Sequence, residues 1–342
     1  MLISERLRPD EVVRFKTPHY ALAPLAGLQM QGDVAMIGDQ YLVRCTRAEG
    51  ETAERGYVFK DWHRQYYDAN PVFLFKPFSE PIAAEAVAGI FETLARDAAR
   101  IVTACRLYKT GRLLEPIYTI RMIASDGNFF RAVGPYRTEY LAMPVDGLVW
   151  PLEDDEAQDL TRLYDRIASI ERMEDTESLR AVIDQFNLSH VPLIPSYFSV
   201  HVLLTSMEIL FDGVRGRLGL ETTRYERALE VLRWAEVEGS APAFDTFFRE
   251  RLHMLRNAIH HHVLRDSASD LDEARFRMQL AVMVGIRLLM ALHCREASEA
   301  LAELKKAQGW DRLGPKDLLN ACLDRRARGD PAPLDEVSRW YV

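Results

Sequence analysis

The chain has 342 residues, 48% of them hydrophobic, and carries 43 Lys and Arg against 51 Asp and Glu, a formal net charge of −8. The length exceeds one ordinary domain, and the composition excludes both a disordered chain of low hydrophobicity and a basic protein that coats nucleic acid through charge alone. Four cysteines, Cys45, Cys105, Cys294 and Cys322, stand far apart without paired spacing, so reduced thiols are expected rather than disulfides or a zinc site.

Met1 to Arg6 turns charged at once, so no signal peptide is expected. Short segments rich in β-branched and aromatic residues at 41–46, 57–59, 72–75, 117–123 and 128–133 read as strands bounded by Gly, Pro or Asp. Between them, apolar residues at 83, 87, 90, 94, 98, 101 and 105 predict a long amphipathic helix over 82–105. The mixture predicts an α+β domain over residues 1–150. Trp62-His63-Arg64-Gln65-Tyr66-Tyr67 reads either as an ordinary loop with semi-buried aromatics or as a base-stacking surface.

Pro144, Gly147 and Pro151 mark a link, and residues 151–342 read as a largely helical second domain. Helices are predicted near 155–173, 176–187, 195–214, 222–237, 243–263, 271–294 and 296–307, with a short one at 315–327. Gly213, Gly216 and Gly219 lack the spacing of a phosphate-cradling loop and predict a turn with a helix C-cap. No nucleotide-binding fingerprint and no internal repeat occurs. The apolar run from Leu280 to Leu292 contains Arg287 and is too short to span a bilayer, so a soluble, cytoplasmic chain without a membrane segment is expected. In that compartment the acceptor-like Asn187-Leu188-Ser189 has no meaning, and Arg325-Arg326-Ala327-Arg328 reads as a solvated helix end. The first 150 residues carry 18 charges of each sign, which leaves the whole negative excess in the helical part.

The segment 243–263 holds the richest chemistry. Phe244, Phe248, Leu252, Leu255, Ile259 and His262 form one buried stripe at steps of three or four. At about 100° per residue, His253, Arg256 and His260 fall within roughly 60° of one another beside that stripe, with Asn257 alongside. His261 points away from the stripe, and His262 turns back toward the core. A guanidinium suits phosphate oxygens at any physiological pH, and an imidazole exchanges its proton near pH ~6.5. Together they suit phosphodiester cleavage, while the plainer reading is a polar helix face or favourable charge at a helix C-terminus. The histidines 253, 260, 261 and 262 do not complete a recognised metal spacing, so neither a metal nor another cofactor is expected.

Arg256-Asn257-x-x-x-His261 resembles the arginine-x4-histidine signature of HEPN domains. Leu203-Leu204-Thr205-Ser206-Met207-Glu208-Ile209-Leu210-Phe211 is similar to the Glu-bearing apolar helix of the ApeA-like branch, and 276–293 supplies the hydrophobic helix that follows the motif there. The resemblance runs over about 176–299. It implies an all-α HEPN-like bundle and metal-independent RNA cleavage, with His261 in proton transfer, Arg256 holding the phosphate, and Asn257 and Glu208 in support. His260 and His262 stand where members often carry alanine and glycine, so both remain alternatives to His261. A buried carboxylate is costly unless paired, so Glu208 is either the partner of a cation such as Arg256 or a solvated residue on a thin polar edge.

On one straight helix Arg256 and His261 lie about 140° apart, too far to converge on one phosphate within a subunit. HEPN domains meet this by pairing two such helices, so the resemblance implies a homodimer acting on an RNA substrate. It further implies a regulated toxin or abortive-infection effector of antiviral defence, whose N-terminal domain senses a phage-derived or other trigger or recruits the target. The alternative is a noncatalytic HEPN module that dimerises or binds a protein partner, which an acidic domain suits.

Overall fold

The computed structural model describes residues 19–25, 28–44, 72–78, 80, 83–109, 113, 119–123, 129–133, 150–190, 196–218, 223–234, 247–260 and 268–306. The expected strand at 57–59, the Trp62 to Tyr67 segment, the helix at 315–327, the Arg325 to Arg328 run, Cys45, Cys322, Gly219, His261 and His262 lie outside the described residues. The chain divides into two compact units, Met1–Cys105 with Arg112–Asp165, and Arg106–Gly111 with Arg166–Val342. The sequence reading put the division at 150/151.

The first unit holds a six-stranded antiparallel sheet, a two-stranded parallel pair and helical segments. Strands β1 (His19–Pro24), β2 (Leu28–Met30), β3 (Val34–Ile37), β4 (Gln40–Arg44), β5 (Val72–Phe78), β6 (Thr119–Ile123), β7 (Phe129–Val133) and β8 (Trp150–Leu152) form two sheets. The larger has the order β3-β4-β5-β1-β6-β7, and β2 pairs with β8. The inner strand β1, with Leu22 opposite Phe75, and the short strands β2, β3 and β8 were not among the expected strands, and Pro151, expected in a link, lies within β8 opposite Gln29. Among the β1 side chains that are described, the buried ones are Ala21 and Ala23, and alanine carries almost none of the β-branched signal by which strands are recognised.

Gly38 opens the two-residue turn between β3 and β4 with φ +61°, and a Cβ there would lie 2.7 Å from Tyr164 Cδ1. The turn therefore needs glycine for both its backbone and its space. Helix α1 (Val87–Tyr108) follows a 3₁₀ turn and buries Leu94, Ala98, Ile101 and Cys105 of the expected stripe, while Val87 and Ile90 are half-buried and Ala83 stands exposed ahead of the helix. The buried Asp97 of α1 meets Tyr164 Oη at 3.4 Å, Arg100 at 3.5 Å and Lys76 Nζ at 3.8 Å. Burial raises the Asp97 carboxyl above its usual range, and burial with the nearby Asp97 pushes the Tyr164 phenol up to about 12.

The second unit is helical. Helices α2 (Ala157–Ile170, from Arg166 on), α3 (Glu177–Ser189), α4 (Ser196–Leu218), α5 (Arg224–Trp234), α6 (Leu252–His260), α7 (Ala268–Cys294) and α8 (Ala297–Lys306) make up most of its described residues, with a π-helical turn at Phe247–Arg251 leading into α6. The contact division places α2 to Asp165 with the sheet, where Thr161 Oγ1 accepts the Gly38 N–H at 3.0 Å.

Helix α7 is the hub of this unit, buried at almost every position from Met278 to Leu292. Two stretches, Tyr197–Leu218 in α4 and Arg277–Cys294 in α7, are long and apolar enough to cross a membrane by length and composition. In α7, 83% of that window is buried inside the fold, which is where a core helix spends its apolar surface. The run judged too short from Leu280 to Leu292 is thus part of a longer helix.

Two glycines fix how α4 meets α7. A Cβ on Gly285 would overlap Leu210 Cδ2 and lie 3.3 Å from Phe211 Cζ, and one on Gly213 would lie 3.2 Å from Leu289 Cδ1. The expected turn at Gly213 and Gly216 is therefore corrected: both lie inside α4, which runs on to Leu218. Glycine costs a helix interior about 1 kcal/mol, and the close approach of two apolar helices offsets that at Gly213.

At the end of α3, His190 Nδ1 donates to the Phe186 carbonyl at 2.8 Å, and its ring stands edge-to-face on Phe186. Desolvation, then the guanidinium charges of Arg106 and Arg275, hold its pKa well below the usual value of 6.5. Gln279 Nε2 donates to the Ser189 carbonyl at 3.1 Å, tying α7 to the same helix end. Arg106 Nη1 donates to Asn187 Oδ1 at 3.0 Å, so the acceptor-like asparagine is engaged in the fold.

Two measurements test this packing. Gly285→Val is expected to destabilise by about 1–3 kcal/mol through overpacking, while Gly216→Ala, where a Cβ meets nothing within 4 Å, is expected to stabilise by up to about 1 kcal/mol in urea titrations. A histidine kept neutral by the fold contributes stability that is present above pH 6.5 and is lost as pH falls through that value toward its lower folded pKa. The urea midpoint of the wild type should fall between pH 6.5 and 5 by more than that of His190→Asn, and parallel pH curves would contradict the assignment.

Candidate functional site

The site is built on three helices of the second unit. Phe247 and Phe248 are adjacent in sequence yet both buried, their rings edge-to-face at 5.3 Å. A regular α-helix would send two consecutive residues about 100° apart, and the π-helical turn at Phe247–Arg251 accommodates them both against the core. The buried Arg277 guanidinium of α7 lies 5.2 Å from the Phe247 ring centroid, and burial followed by repulsion from Arg251 lowers its pKa to about 10. Helix α6 then buries Leu252 and Leu255 and turns its other side outward.

That outward side carries the predicted residues. His253 and Asn257 are exposed, with Asn257 Nδ2 3.3 Å from His253 Nδ1, and Met254 between them is 63% exposed. Arg256 stands at the edge facing α4, where its Nη2 lies 3.0 Å from Glu208 Oε1. Glu208 is paired with Arg256 and its side chain is also 32% exposed, so each of the two alternatives left open by sequence, a paired carboxylate and a solvated polar edge, is met in part. His260 is the last residue of α6; its side chain, with His261 and His262, falls outside the described residues. The structure thus brings Arg256, Asn257 and Glu208 into one neighbourhood and does not describe where the imidazoles of His260, His261 and His262 stand.

Glu208 has a second partner that sequence reasoning missed. Arg224 Nη1 lies 3.4 Å from the same Oε1, so one carboxylate oxygen sits between guanidinium groups from α5 and α6. Arg224 also forks onto Asp212, Nε to Oδ1 at 3.2 Å and Nη2 to Oδ2 at 2.9 Å. The buried Arg227 anchors Asp212 Oδ1 at 3.0 Å. The result is an alternating row, Arg256, Glu208, Arg224, Asp212, Arg227, with three cations against two anions in an acidic half of the chain.

Local sequence explains this row. Thr223 opens α5 with a capping box: its N–H and hydroxyl donate to Glu226 Oε2 at 2.9 and 2.7 Å, and the Glu226 N–H returns to Thr223 Oγ1 at 3.4 Å. That fixes the first turn, where Arg224 is the first helical residue. Glu208 and Asp212 are four apart on α4 and Arg224 and Arg227 three apart on α5, so each pair shares a helix face. The T-x-x-E at 223–226 and this charge spacing were the available signals.

Comparison with protein-family models, characterised proteins and solved structures finds no match.

The Glu208 and Arg256 side chains are 32% and 37% exposed, which makes their pairing a surface interaction. A double-mutant cycle of Glu208→Ala and Arg256→Ala in urea should give a coupling of about 0.2–1 kcal/mol that shrinks in high salt. A salt-insensitive coupling near 3 kcal/mol would mark a buried structural pair instead.

Proposed function

We propose that the protein is a metal-independent endoribonuclease of HEPN type, acting as a homodimer in the cytoplasm and restrained by its N-terminal unit as a defence or toxin effector. The observation that carries this reading is the adjacency of Arg256 and Glu208. The two lie in separate sequence segments that each resemble a HEPN motif, and chance matches have no reason to meet in space. Asn257 follows on the same outward face, and α7 supplies the long apolar helix after the motif.

In this mechanism the ribose 2′-oxygen forms a bond to the adjacent phosphorus as the bond from phosphorus to the 5′-oxygen breaks. His261 takes the 2′-hydroxyl proton, and an imidazolium of the paired subunit returns one to the leaving 5′-oxygen. Arg256 neutralises the charge that grows on the non-bridging oxygens. Acid-base groups of this kind contribute about 10²- to 10⁴-fold each, and a preorganised cation at the developing oxyanion contributes on a similar scale.

Purified protein should cut single-stranded RNA in the presence of a chelator, leave 2′,3′-cyclic phosphate ends, and spare a substrate with deoxyribose at the cleaved position. Arg256→Ala and His261→Ala should each lower the rate by at least about 10²-fold. His260→Ala and His262→Ala are expected to retain activity; loss in one of them with retention in His261→Ala would reassign the acting imidazole. Equal behaviour of wild type, Arg256→Ala and His261→Ala, in cleavage and in toxicity on overexpression, would replace the nuclease with a protein-interaction module.

A further inference from the structure

We infer that Arg224 is a second phosphate-gripping residue, and that Arg224 and Arg256 form a two-guanidinium clamp whose resting occupant is the Glu208 carboxylate. The identity of the incoming anion as an RNA phosphate rests on the ribonuclease reading; the clamp itself rests on geometry.

Glu208 Oε1 is shared by Arg256 Nη2 at 3.0 Å and Arg224 Nη1 at 3.4 Å. Two guanidinium groups from different helices converging on a single anionic oxygen is the arrangement that arginines take around a phosphate oxygen. Arg224 holds its aim without Glu208. Its Nε and Nη2 are engaged by Asp212, Asp212 is anchored by Arg227, which is 3% exposed, and the capping box fixes the helix turn beneath. Glu208 has no such support: the two arginines are its ion-pair partners among the described residues, and its side chain is 32% exposed.

An incoming phosphodiester therefore meets a preformed cationic seat and an occupant that can swing out into water. A bound phosphate would place one non-bridging oxygen where Oε1 stands. Glu208 then acts as a competing anion built into the chain, lowering affinity for nucleic acid until a polyanion outcompetes it. This fits a helical unit whose charges nearly balance, 26 Lys and Arg against 27 Asp and Glu, so that its overall charge does not draw RNA in.

The test uses full-length protein and a fluorescent single-stranded RNA bearing 2′-O-methyl at every ribose, which binds but has no free 2′-hydroxyl to attack. Anisotropy is read across a salt series for wild type, Arg224→Gln, Arg256→Gln and Glu208→Gln. Each arginine substitution should weaken binding about tenfold and reduce the salt slope by about one, the signature of a lost phosphate contact. Glu208→Gln should tighten binding several-fold, a change that a merely structural role for Glu208 would not produce. If Arg224→Gln proves unfolded by its melting curve, Glu208→Gln decides alone. Wild-type affinity and slope in a folded Arg224→Gln, unchanged or weaker binding in Glu208→Gln, or no binding by the wild type, each overturns the clamp. Cleavage of ordinary RNA that depends on Arg256 but not Arg224 would leave the ribonuclease and remove the clamp. Binding weakened by both arginine substitutions without cleavage would leave the clamp and remove the ribonuclease.

Discussion

The arrangement of the helical unit depends on the close crossing of α4 and α7 at Gly285. Because no side chain stands there, Leu210 and Phe211 seat directly against the α7 backbone, and α4 has one rotation about its axis that satisfies them. That rotation buries Leu203, Met207, Leu210, Phe211 and Val214 together. It equally dictates that Glu208 and Asp212, each one residue on from a buried neighbour, emerge on the flank where α5 and α6 present their arginines. The position of the charged row is thus a consequence of apolar packing.

Magnitudes separate the two layers. Removing a buried Leu or Phe from such a contact costs about 2–5 kcal/mol, whereas an exposed ion pair contributes about 0–1 kcal/mol. The core can hold α4, α5 and α6 in place whether or not Glu208 stays paired, so the row of charges is available for rearrangement by a ligand. Arg227 is the exception within it, since it is buried and its pairing with Asp212 anchors the row to the unit. A rigid base carrying a labile surface pair is what an anion-exchange site requires.

Helices were legible where their burial follows a 3.6-residue period, as in α1 and α3, and the strands of the first unit where β-branched residues and aromatics cluster, as in β5. The inner strand β1 was not legible because the buried positions described in it, Ala21 and Ala23, carry little strand signal. The Phe247–Arg251 turn was invisible for a different reason: one extra residue in a helical turn shifts the stripe, and a regular period counts Phe248 as buried while placing Phe247 elsewhere. Gly213 and Gly216 misled because a glycine that relieves a helix crossing has the same letter as one that ends a helix. At the site, Glu208 stood out as a lone carboxylate in an apolar segment, which left open both a pairing with a cation such as Arg256 and a solvated edge. Arg224 did not stand out, since its relevance depends on α5 lying beside α4, and no local pattern states which helices are neighbours.

The most direct measurement is a structure of the protein bound to single-stranded RNA with 2′-O-methyl riboses. The expected result is a phosphate oxygen within ~3 Å of both Arg256 Nη2 and Arg224 Nη1, with the Glu208 carboxylate turned aside and the α6 helix of a second copy facing the same phosphate. RNA seated on another surface, with Glu208 Oε1 still held between the two arginines, would contradict it.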